Sequence, residues 1–159
     1  YCIGGLEMVL QIICAFIATL GFGILFNVRD KNLFFASLGG ALGWLAYLIS
    51  MNINGSVMLS TFIASLVISI YAEIFSRVLK NPVTLFLICA LIPLAPGSGM
   101  YYTILAAVQG DIMQSLNKGI ETLSVAGLIA LGIITVSTLS RLIQRINYIR
   151  HNKLSKISK

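Results

Sequence analysis

Two stretches of the sequence hold the residue types from which chemistry inside a membrane can be built. The first is Leu87–Val108, LICALIPLAPGSGMYYTILAAV, where Pro93, Pro96, Gly97 and Gly99 interrupt an otherwise apolar run. Proline donates no backbone hydrogen bond, and Pro93 also removes the helical bond to the carbonyl of Cys89. Gly97 and Gly99 let the backbone turn sharply and a ligand approach closely. A helix restarting near Ser98 or Gly99 would present unbonded amides and a partial positive charge, which suits a carboxylate. Unpaired backbone at membrane depth is tolerated only where protein buries it or water reaches it. The bland alternative is a proline kink that only shapes packing.

The second stretch reads Thr61, Ser65, Ser69, Glu73, Arg77 at every fourth residue. That spacing stacks them on one helix face, and Ser60 and Ser76 widen the stripe. Hydroxyls alone mean little, since they often bond their own helix or pack against a neighbour. An acidic group inside a span is costly and faces a cavity or a partner. Glu73 and Arg77 therefore read either as an i,i+4 ion pair reaching the interface, or as a coupling carboxylate and its partner at the inner mouth of a path.

The elements that position these residues follow from composition. Of 159 residues, 58% are hydrophobic and 10% charged, with a net charge of +6. Soluble domains carry roughly 25% charged residues, so the chain belongs in a bilayer. Four runs have about the length and apolarity of a span: Gly5–Phe26, Leu33–Ile49, Val57–Phe75 and Leu123–Leu139. The interrupted stretch, Pro82–Asp111, holds two apolar pieces of about ten residues, each roughly 15 Å as helix. Placed end to end they cross once; folded back they form a re-entrant hairpin. Positive charge near span ends collects on the cytoplasmic side. If the stretch crosses, Arg29, Lys31, Arg77, Lys80, Arg141, Arg145, Arg150, Lys153, Lys156 and Lys159 share one side, and Lys118 alone falls on the other. The expected fold is all-α and integral to the membrane. It has five transmembrane helices, the fourth discontinuous at Pro93–Gly99, with the N-terminus outside and the C-terminus cytoplasmic.

In span 2, Ala36, Gly39, Gly40 and Gly43 give overlapping small-xxx-small spacings, a close-packing face. Trp44 and Tyr47 are expected toward the outer headgroups, and Asn27 either caps span 1 or faces a cavity. Residues 1–140 form the transmembrane domain. Residues 141–159 form a basic tail, read as an amphipathic helix on the inner surface in contact with anionic lipid rather than nucleic acid. His151 in that tail reads as solvated. Cys14 and Cys89 read as small buried hydrophobes. The chain starts at Tyr1, and no positive residue precedes the first apolar run, so no signal peptide is read. No catalytic arrangement, metal cluster or phosphate loop stands in the sequence: no enzyme, metal or cofactor is expected.

Three segments, GFGILFN (Gly21–Asn27), STFIAS (Ser60–Ser65) and LIPLAPGSGMYYTI (Leu91–Ile104), resemble the threonine/serine exporter family in its small membrane domain. The resemblance runs from about Glu7 to Arg141. It implies a subunit of a bacterial inner-membrane exporter of small carboxylate-bearing metabolites, amino acids of the threonine/serine type or, in some relatives, a succinate-type dicarboxylate. It also implies proton coupling, a larger membrane partner and an oligomeric assembly. A non-conducting assembly subunit is the alternative. On this reading the substrate's carboxylate meets Pro93, Pro96, Gly97, Ser98 and Gly99. Its hydroxyl or ammonium meets Thr61, Ser65 and Ser69, and Glu73 with Arg77 supplies the coupling pair.

Overall fold

The computed structural model describes residues 5–28 and 31–157, with side chains within residues 6–146. Tyr1, Cys2, Arg29 and Lys159 lie outside the described residues, as do the side chains of Arg150, His151, Lys153 and Lys156. The described residues form helices joined by short turns: α1 (Gly5–Leu25), α2 (Lys31–Asn54), α3 (Val57–Leu79), α4 (Val83–Leu91), α5 (Gly97–Val108) and α6 (Ile112–Ile157). A 3₁₀ turn, Ile92–Leu94, follows α4. Helices α1, α2, α3 and α6 are each long and apolar enough to cross a membrane, and α4 with α5, bent at a short break, has the combined length of a fifth span.

Helix α2 sits at the centre because its small face admits three neighbours. Beyond Gly40 lies the Thr19 side chain of α1, beyond Gly43 lies Ile68 of α3, and a Cβ on Gly39 would sit 2.8 Å from Tyr71. This is the close-packing face that the small-residue spacing predicts. Tyr71 reinforces it by donating its hydroxyl to the carbonyl of Phe35 at 2.8 Å. Gly43→Val would drive methyl groups into the buried Ile68. Overfilling of this kind costs about 1–3 kcal/mol, so a lower melting temperature of the purified protein is expected.

The turns obey local rules. Lys80 ends α3 in the left-handed region at φ 54°, and Asn27 does the same after α1 at φ 57°. Asn27 thus closes its helix. The Asn81 amide donates to Asn32 Oδ1 at 3.0 Å, tying the end of α3 to the start of α2.

The broken span forms as the prolines dictate. The Cys89 carbonyl that Pro93 abandons accepts instead from the Ile92 N–H. That shorter bond tightens the chain into the 3₁₀ turn. Helix α5 then leaves at 53° to α4. A bend of that size deflects the chain without returning it.

The packing of α6 on α3 decides the crossing independently. Gly132 of α6 abuts Ser65 of α3, and Ser140 of α6 bonds Glu73 of α3. Both helices advance by eight residues between these contacts, so they run parallel. A re-entrant hairpin between them would have made them antiparallel. The α4–α5 pair therefore carries the chain from one end of the bundle to the other.

Helix α6 runs unbroken through Ile157, about 69 Å at 1.5 Å per residue. The backbone of residues 141–157 is continuous with the last span. Its side-chain pattern beyond residue 146 lies outside the described residues. One expectation is corrected. Cys89 is buried, as its apolar context suggests, but Cys14 is exposed on α1.

Candidate functional site

A cavity of about 430 Å³ opens where the broken span meets α2, α3 and α6. Pro93, Leu94, Ala95, Pro96, Ser98 and Gly99 form one wall. Thr61 and Val57 from the start of α3 form another, and Trp44 and Tyr47 of α2 a third. The last wall is α5 and α6, through Tyr102, Lys118, Glu121, Thr122 and Val125.

The break supplies donors to this space. The Gly97 N–H turns back to the Ala95 carbonyl at 2.8 Å, and the Met100 N–H reaches the Pro96 carbonyl at 3.1 Å. Between them, the amides of Ser98 and Gly99 have no acceptor among the described residues. No side chain caps the helix at Pro96. These are the orphan donors that every helix start leaves, and here they border the cavity.

Charge is supplied from α6. Lys118 Nζ lies 3.0 Å from Glu121 Oε2, with both side chains about half exposed. An ion pair this exposed contributes little to stability, roughly 0–1 kcal/mol. Its partners can therefore be exchanged for a ligand's charges at small cost. Thr122 is committed elsewhere: its hydroxyl donates to the Lys118 carbonyl at 2.7 Å, while its side chain fills the space beside Gly99.

The polar stripe of α3 divides. Thr61 lines the cavity, with its hydroxyl donating to the Val57 carbonyl at 2.7 Å. Ser65 and Ser69 are buried and do not line it. Ser65 bonds the Phe62 carbonyl and Ser69 the Ser65 carbonyl, each at 2.7 Å. Ser65 meets Gly132, so the middle of the stripe is a tight contact with α6, its hydroxyls satisfied by their own helix. Gly97 is exposed beside the cavity.

Glu73 and Arg77 form a separate cluster, about 18 Å along α3 from Thr61. Arg77 Nη2 is 3.2 Å from Glu73 Oε2 and also bonds Ser140 Oγ. The Ser140 hydroxyl in turn donates to Glu73 Oε2 at 2.7 Å. The i,i+4 pair thus exists, and Ser140 extends it into a clasp between α3 and α6. It sits in a mainly apolar groove with Ile70, Ile74, Val136 and Leu139.

The structure adds residues that the sequence reading placed elsewhere or passed over. Trp44 and Tyr47, expected at the headgroups, line the cavity with rings 5.2 Å apart. The Trp44 indole N–H donates to Gln11 Oε1 at 3.3 Å. Lys118, Glu121, Thr122 and Val125 share a helix face at i, i+3, i+4 and i+7 spacing. That pattern was legible, but their shared side of α6 acquires meaning only when α5 folds against it. No group of metal-binding side chains occurs among the described residues.

A family model described as "Threonine/Serine exporter, ThrE" matches residues 11–139. An uncharacterized protein of Haemophilus influenzae is 29% identical over 137 residues, covering 80% of this chain and 46% of that protein. The chain therefore spans about half the length of that curated relative. No solved structure matches it.

Proposed function

Because this chain belongs to the threonine/serine exporter family and is a multi-pass membrane protein of transporter type, we propose that it is the small subunit of a bacterial inner-membrane exporter. Its cavity receives one small carboxylate-bearing metabolite at a time, and it works with a larger membrane partner. The observation that carries this reading is the meeting of two unbonded amides, at Ser98 and Gly99, with Lys118 and Glu121 around one space.

The carboxylate of the solute takes the amides and Lys118, where charge-assisted bonds are strong. An ammonium group takes Glu121 and the faces of Trp44, Tyr47 or Tyr102, which attract cations. Thr61 borders the same space. One cation beside one anion suits a zwitterion better than a dicarboxylate, which would set its second carboxylate against Glu121. This favours threonine- or serine-type amino acids over succinate-type acids.

Orientation follows from charge. Lys31, Arg77, Lys80, Arg141 and Arg145 gather at the end of the bundle where α3 finishes. We place that end in the cytoplasm. The cavity then lies toward the outer half. The Glu73–Ser140–Arg77 clasp lies toward the inside, and it is the pair through which the proton gradient is coupled to export.

Efflux from vesicles containing the purified pair tests the proposal. Serine and threonine are expected to leave faster than succinate, an uncharged polyol is expected to stay, and an imposed pH gradient should change the rate. Equal leakage of all four solutes would defeat the reading.

A further inference from the structure

Among the described residues, helix α5 packs against α6 and against no other helix. It does not reach α1, and a notch is left at the side of the bundle. The notch, about 280 Å³, is lined by Leu10, Gln11, Cys14, Ala15 and Ala18 of α1, with Trp44 and Pro93 as its far edge. Trp44 and Pro93 also line the solute cavity, so the two hollows adjoin through the same side chains.

We infer that this notch is the seat of one transmembrane helix from a second, unlike membrane domain, and that this helix completes the wall of the solute cavity. The notch lies within apolar spans, where only a segment with all its backbone bonds satisfied internally can stand. Cys14, Ala15 and Ala18 are small, which lets a helix backbone approach closely. Gln11 spends its carbonyl oxygen on Trp44 and keeps an amide group to offer across the contact. A fluid acyl chain in this place would leave a polar solute separated from hydrocarbon only by Trp44 and Pro93. The Haemophilus influenzae relative carries more chain outside the matched region than within it, which leaves length for a second domain, and that domain is the occupant we assign to the notch. The inference rests on the partner named in the proposed function.

Photo-crosslinking tests it without reference to transport. The crosslinking residue p-benzoylphenylalanine replaces Leu10 or Cys14 in the notch, or Ile134, which is exposed on α6. The chain is expressed with the polypeptide of its own organism that aligns with the unmatched part of the Haemophilus influenzae protein. Adducts to that polypeptide are expected from positions 10 and 14, at least fivefold stronger than from position 134. In the unsubstituted protein, alkylation of Cys14 by N-ethylmaleimide should fall severalfold on co-expression. Adducts strongest at position 134, adducts between copies of this chain, adducts to lipid alone, or undiminished Cys14 alkylation would each overturn the inference. A failed efflux assay with intact crosslinks would count against the solute reading and not against this one.

Discussion

Gly99→Val is expected to abolish export while the protein still inserts in the membrane. A Cβ at position 99 would press into the Thr122 hydroxyl, and the Thr122 Cβ and methyl would lie only 3.3 Å away. Both residues line the cavity. The added volume must push α5 off α6 or twist the first turn that presents the Ser98 and Gly99 amides. Overpacking of this order costs about 1–3 kcal/mol, and the first casualty is the placement of the donors. The decisive comparison is the milder Gly99→Ala variant in a Thr122→Ala background. Removing the hydroxyl and methyl opens room for one methyl group, so most of the export lost in Gly99→Ala alone should return. Purified proteins melted in parallel would show the stability of the pair moving together. Undiminished export by Gly99→Val would mean that the start of α5 has no part in solute binding.

Lys118→Ala is expected to raise the half-saturating concentration for export at least tenfold for every carboxylate-bearing solute, equivalent to about 1.4 kcal/mol. Among the described residues lining the cavity, Lys118 is the one cation and Glu121 the one anion. Lys118→Arg retains the charge and should recover most of the affinity. Glu121→Gln has a narrower effect: solutes with an ammonium group should bind more weakly, whereas dicarboxylates should bind as well or better. Concentration-dependent efflux of serine and of succinate from vesicles reads both changes. Unaltered half-saturation in Lys118→Ala would remove the cavity as the solute site. The ion pair is exposed enough that neither change should much affect folding.

How much of this was open to a reader of the sequence alone depends on the range of the interaction concerned. The spans and the interruption were legible because they rest on composition and on what proline does to its own helix. The close-packing glycines of α2 were legible too, since Gly39, Gly40 and Gly43 advertise backbone proximity whatever the neighbour. The hydroxyl stripe was misleading in its middle. Periodicity places Thr61, Ser65 and Ser69 on one face, but only the position of α6 decides which of them meets open space. Gly132 covers Ser65, and Thr61 stays at the cavity edge. Lys118 and Glu121 were missed as site residues because their relation to the break depends on α5 folding back along α6. That Trp44 also lines the cavity was not legible, because nothing local to α2 reveals Gln11, 33 positions earlier in the chain.

The parallel course of α3 and α6 carries one more implication. Parity fixes it: an odd number of traverses puts whatever precedes α1 and whatever follows α6 into different aqueous compartments. A polypeptide tethered ahead of α1 and one tethered after α6 could never touch each other outside the lipid. Any longer relative that joins this region to a second membrane half must therefore thread that half from the compartment its junction dictates. An even-numbered insertion anywhere in the chain would preserve that rule, whereas a single added helix would reverse it.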